Sequence, residues 1–186
     1  MSAAIDVLMN EHRMIERVLK ALQTCAAAAR RGEKVDRVSV REFAEFFRNF
    51  VDKCHHGKEE DRLFVSMVRH GFPQEHGPIA VMLAEHTAGR EHVGALARIG
   101  EGSGPLTEEE RQTLSEHAEA YYGLLRAHIQ KEDSVLYPMA AQMLPPEEMN
   151  RLERDFEAFE KQVMGEGIHE HYHELAHKLI DAFPRI

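Results

Sequence analysis

Apolar positions recur every three or four residues over long stretches of this chain, and nowhere do they alternate convincingly with polar ones. That is helical periodicity, so the pattern predicts helices and no strands. Gly and Pro interrupt it in a few places only: Arg31-Gly32-Glu33, Gly71 through Pro78, Gly100 through Pro105, Pro145-Pro146 and Gly165-Glu166-Gly167. The stretches between are rich in Ala, Leu, Glu and Arg, which favour helix. The expected helices cover roughly residues 3–30, 38–70, 78–99 and 107–142, with one or two shorter ones in 146–183. Pro78 and Thr107 suit first-turn and cap positions. Pro138 should kink the last turns of the fourth helix. Long helices with short connections predict an all-α, up-down-up-down four-helix bundle over residues 1–144, with 145–186 a helical extension packed on it.

The apolar stripes carry unexpected residues. In the first helix Ile5, Leu8, His12, Ile15, Leu19 and Leu22 share one face. In the third the face runs Ile79, Met82, His86, Gly89, Val93, Leu96. In the fourth it runs Leu114, Ala118, Tyr121, Leu125, His128, Glu132, Val135, Met139. A carboxylate in such a stripe is costly unless it is paired or holds a cation. Composition points the same way, with 13 His beside 32 Asp and Glu in 186 residues, since imidazole and carboxylate are donors for first-row metals.

The chain also repeats itself. Asn10-Glu11-His12 matches Ala84-Glu85-His86, 74 positions on. His55-His56-Gly57-Lys58-Glu59 through Leu63-Phe64 matches His128-Ile129-Gln130-Lys131-Glu132 through Leu136-Tyr137, 73 positions on. A helical hairpin is used twice, each copy supplying one His and then a His-x-x-x-Glu pair. Residues i and i+4 face the same way on a helix, so each pair can converge on one metal region. On the second helix the repeat selects His55 and Glu59. The apolar stripe (Phe43, Phe47, Phe50, Cys54, Phe64, Val68) lies nearer His56 and Glu60.

At these residues the sequence resembles the hemerythrin-like family of HHE cation-binding domains. The pattern His, His-x-x-x-Glu, His, His-x-x-x-Glu is filled by His12, His55, Glu59, His86, His128 and Glu132 over about residues 1–142. The Leu-Tyr-Pro ending stands at Leu136-Tyr137-Pro138, whereas the first half has Leu63-Phe64-Val65. The resemblance implies a non-haem di-iron centre with both glutamates bridging and an oxo or hydroxo bridge beside them. It implies a site that binds or reacts with dioxygen, peroxide or nitric oxide, as sensor, store or scavenger. The rival expectation is an iron-holding or structural module without gas chemistry. Oxygen-carrying members have a fifth histidine four residues after the third-helix one; here that position is Arg90. Glu16, Glu60, Glu91 and His56 are candidates to replace it.

Other features narrow the function. A formal charge of −9 disfavours nucleic acid and anionic membranes as partners. No apolar run is long enough to cross a bilayer, the first residues lack a secretory pattern, and Cys25 and Cys54 suit a cytoplasmic setting. In the tail, His173-Glu174-Leu175-Ala176-His177 matches the H-E-x-x-H of zinc peptidases, beside His169 and His171. Leu175, Leu179 and Ile180 instead suggest a helix docked on the bundle. His70, His76, His92 and His117 have no repeat partner and read as surface or loop residues. Tyr121 and Cys54 read as core.

Overall fold

The computed structural model describes residues 3–163, 165 and 168–184, with the side chains of 168 and 169 excepted. The described residues fold into six helices and the loops that join them: α1 (Ala3–Arg30), α2 (37–69), α3 (Pro78–Glu101), α4 (108–143), α5 (Pro146–Val163) and α6 (Ile168–Ala182). α2 packs on α3, α3 on α4 and α4 on α1, closing an antiparallel four-helix ring. The expected ends agree with the observed ones to within about two residues. Thr107 starts α4 through a capping box, accepting from the Glu110 N–H (3.2 Å) while the Glu110 carboxylate accepts from the Thr107 N–H (2.8 Å). Pro78 opens α3 after Gly77, whose φ of 78° is open to glycine.

The C-terminal helices are part of the same packing unit. α5 and α6 both lie against α1 and α2. α5 comes close because Gly57 has no side chain: a Cβ there would stand 2.6 Å from Phe159 Cζ. Leu175, Ala176 and Leu179 bury the inner face of α6. Among the described residues no helix is long and apolar enough to cross a membrane.

Two apolar clusters fill the bundle, and a polar layer separates them. One runs from Ile15 to Ala29 on α1 with Phe43, Phe47 and Phe50 on α2, Leu114 to Ile129 on α4, and α6. The other joins Ala4, Ile5 and Leu8 to Leu63, Met67, Ile79, Leu136, Tyr137 and the α5 residues Leu152 and Phe156. The gap falls between Leu8 and Ile15, where His12 stands.

α2 and α4 widen where they cross this layer. In α2 the stretches Phe47–His56 and Glu59–Leu63 take π geometry, and in α4 so does Glu132–Leu136. The Phe64 N–H reaches back five residues to the Glu59 carbonyl, and the Tyr137 N–H reaches Glu132 in the same way. Pro138, the expected kink position, lies just after this wide turn of α4. The matching turn of α2 is equally wide without a proline, so the wide turn belongs to the repeat, and the proline merely tolerates it. Such turns concentrate at functional sites.

Candidate metal centre

The polar layer is built by nine buried residues: Glu11 and His12 from α1, His55, His56, Lys58 and Glu59 from α2, His86 from α3, and His128 and Glu132 from α4. The structure brings His12, His55, Glu59, His86, His128 and Glu132 together. Donor atoms of His12, His55 and Glu132 lie within 4.8 Å of one another, as do those of His56, Glu59, His86 and His128. His12 and His55 face each other through Nε2 at 3.0 Å, and His86 and His128 at 3.1 Å. Glu132 lies between the pairs, 3.2 Å from both His12 Nε2 and His128 Nε2. Glu59 stands 3.7 Å from His55 Nε2 and 3.5 Å from His86 Nε2.

Each of these four histidines turns its other nitrogen to a carboxylate. His12 Nδ1 bonds Asp133 (2.8 Å), His55 Nδ1 bonds Glu11 (2.8 Å), His86 Nδ1 bonds Glu60 (2.7 Å) and His128 Nδ1 bonds Glu85 (2.9 Å). That fixes ring orientation and aims every Nε2 inward, the arrangement that supports metal-bound histidine. The supporting acids obey the repeat: Glu11 corresponds to Glu85, and Glu60 to Asp133. Lys58 clamps Glu11, and its counterpart Lys131 clamps Glu85. Of these four acids, periodicity singles out only Glu60, as a candidate ligand and not as a support, while Glu11 and Glu85 lie inside the repeated tripeptides. The repeat was the signal that could have found them.

The halves differ in two places. Tyr137, opposite Phe64 in the repeat, donates its hydroxyl to Glu59 Oε1 (2.7 Å) and stacks on His12 at 5.5 Å. His56, opposite Ile129, lies 3.7 Å from His86 ring to ring, buried, with neither nitrogen hydrogen-bonded. The α2 π stretch explains why the two ways of reading this helix disagreed. Its slower rotation turns the adjacent residues His55 and His56 both inward, so repeat and periodicity each picked a buried histidine. Glu60 faces outward from the cluster and supports His86.

Arg90 holds Asp52 and Glu60, each at 2.7 Å. Of the other candidates for the fifth position, Glu16 pairs with Arg13 (3.0 Å) and Glu91 is exposed. In the tail, Glu174 and His177 are exposed, and among the described residues they join no cluster of three potential ligands. The side chain of His169 lies outside the described residues. His92 and His117 bond each other (3.0 Å), a pairing that sequence periodicity did not suggest. Tyr121 packs edge-on against Phe47 at 5.0 Å, and burial pushes the Cys54 thiol up to about 12, as for a core residue.

Whether a metal fits can be judged from what the layer leaves unsatisfied. Glu59 Oε2, both Glu132 oxygens and both His56 nitrogens are buried without hydrogen-bond partners. Orphaned acceptors of this kind ordinarily have an ion or water to meet, and an N,O donor set suits a first-row cation. Protons take over part of that role in the metal-free chain. Burial and the nearby Glu132 charge push Glu59 well above the carboxylate range. Burial acts on Glu132 in the same direction, but His128 and His12 overcome it and hold Glu132 well below. Burial opposes charge on His12, yet Asp133 and Glu132 raise it to about 9, and His128 rises similarly through Glu132 and Glu85. Burial lowers His55 to about 4 and lowers His86; it drives His56 well below the ordinary value, with His86 adding to the effect. Each facing pair thus sets one ring whose pKa is pushed up against one whose pKa is pushed down.

Linkage gives a prediction. The His12 contribution is fully present below its ordinary 6.5 and is lost as pH rises through about 9. The His55 contribution is present above 6.5 and is lost as pH falls through about 4. The metal-free chain should therefore be most stable near pH 6.5 and weaken on both sides, as urea titrations across pH 4–9 will show. Metal must displace protons from His12, His128 and Glu59, so its uptake should acidify the medium and weaken as pH falls.

Comparison with known proteins gives one family and a few distant relatives. Residues 3–140 match the family model described as the hemerythrin HHE cation binding domain. Uncharacterized proteins of Mycobacterium tuberculosis (strain ATCC 25618 / H37Rv) and Mycobacterium bovis (strain ATCC BAA-935 / AF2122/97) are each 22% identical over 163 residues. The match covers 88% of this chain and 63% of each relative, so the chain spans under two thirds of their length. No solved structure matches.

Proposed function

The chain belongs to the hemerythrin HHE cation-binding family, and from that premise we propose that it holds two iron ions and uses them to bind or react with a small oxidant such as dioxygen, peroxide or nitric oxide. The observation that carries this reading is the pair of wholly buried glutamates, three of whose four oxygens lack a hydrogen-bond partner, between two pairs of inward-facing histidine Nε2 atoms. His12 and His55 would hold one ion, His86 and His128 the other, with Glu59 and Glu132 shared. Iron, when bound, supplies redox and Lewis-acid chemistry.

The chain's own contribution is positioning and exclusion of water. The four supporting carboxylates keep the imidazole lone pairs aimed inward. The Tyr137 hydroxyl fixes Glu59 and is the donor closest to His12 Nε2 outside the ligand set, at 3.4 Å. Apolar clusters close the layer above and below. A cavity of about 80 Å³, lined by Phe47, His56, His86, Arg90 and Tyr121 among others, borders the site. That space suits a small inorganic molecule and not a bulky organic substrate. Bundle residues 1–144 would carry the chemistry, with 145–186 bracing α1 and α2. A reducing, cytoplasmic setting fits the two free buried thiols.

Anaerobic loading with ferrous iron followed by air tests the proposal. The expected result is about two irons per chain and an absorption spectrum that changes on exposure to oxygen. Fewer than about one iron per chain would sink the dinuclear reading. A loaded protein indifferent to dioxygen, peroxide and nitric oxide would instead be an iron-holding module.

A further inference from the structure

We propose that His56 is a fifth histidine ligand of the centre, supplying a third imidazole to the ion held by His86 and His128. This rests on the di-iron reading above and refines it. Four observations converge. His56 is buried, at 4% exposure, and both ring nitrogens lack a hydrogen-bond partner. Its donor atoms fall within 4.8 Å of those of Glu59, His86 and His128, and it belongs to that group and not to the His12 group. Its Nδ1 lies 3.5 Å from Asp52 Oδ1, so like the other four rings it has a carboxylate near Nδ1, here one helical turn earlier. Finally, the repeat places Ile129 at the equivalent position, so a packing role alone would be served by an apolar side chain, and a buried unpaired imidazole is costly there.

The position four residues after His86 is taken by Arg90, whose guanidinium holds Asp52 and Glu60. Those are the carboxylates beside His56 Nδ1 and on His86 Nδ1. Arg90 thus supports two imidazoles from outside while α2, through its π stretch, delivers the ligand from inside. The two ions become unequal. One has His56, His86 and His128; the other has His12 and His55 alone beside the shared glutamates.

His56→Ile, which copies Ile129, and His56→Gln are the test variants. Three measurements apply: iron per chain, the rate of iron release to a chelator, and the Tm of the metal-free protein. Both variants should release iron at least about tenfold faster than the unmodified chain. His56→Ile should at the same time raise the metal-free Tm, because it removes two unsatisfied buried nitrogens. A packing role would give the reverse, a lower Tm with unchanged release, and would overturn the assignment. If the unmodified chain holds two irons and both variants release them at its rate, the His56 assignment alone fails. If the unmodified chain takes up no iron, the di-iron reading fails and this one with it.

Discussion

Glu132→Ala should strip the chain of bound metal and lower the stability of the metal-free form by about 3–5 kcal/mol. The carboxylate is wholly buried and lies 3.2 Å from the Nε2 atoms of both His12 and His128, the two rings whose charge it sustains. Removing it leaves two buried imidazoliums without their shared anion, and such uncompensated charges are expensive. The corresponding fall in Tm for a chain of this size is roughly 10 °C. Metal loss follows because the residue is shared between the two histidine pairs. Glu109→Ala is the control: it is exposed in the first turn of α4, and its removal should change stability by less than about 0.5 kcal/mol. Iron analysis after anaerobic loading and urea titration of both variants check the contrast. Near-normal iron in Glu132→Ala would remove that residue from the site.

The sequence foretold the bundle because its periodicity is helical and its Gly and Pro breaks are few. It also pointed to the six repeat-matched residues, since the repeat aligns them and the Glu132 carboxylate in an apolar stripe has few explanations. One thing it concealed is the geometry of α2. Periodicity assumes 3.6 residues per turn, and α2 departs from that over Phe47–His56 and Glu59–Leu63. In that wider geometry His55 and His56 cease to be alternatives, which no fixed-period pattern shows. The supporting roles of four acids were hidden for a different reason. Glu11, Glu60, Glu85 and Asp133 sit at the edge of the stripes, where an acid ordinarily faces water. Only a second helix brings an imidazole Nδ1 to meet each of them.

The repeat makes Glu11 and Glu85 equivalent, yet their replacement should have unequal consequences. Each accepts from a histidine Nδ1 and from the lysine of the matching motif. The difference is where the lysine stands. Lys58 is wholly buried, with Glu160 3.5 Å away as a further partner, whereas the Lys131 side chain is 41% exposed. Burial opposes the Lys58 charge, but Glu11 more than offsets it, and Lys58 and His55 in turn hold Glu11 at about 2 against the same opposition. Glu11→Ala therefore leaves a buried ammonium short of its main counter-ion and should cost about 3–5 kcal/mol. In Glu85→Ala the Lys131 ammonium turns to water, and the loss should be about 1 kcal/mol or less. Lys58→Met in the Glu11→Ala background should recover much of the larger loss, since it removes the stranded charge and keeps the volume. Urea titrations at pH 7 separate these outcomes, and equal costs for the two glutamates would show that the buried lysine is not what distinguishes the halves.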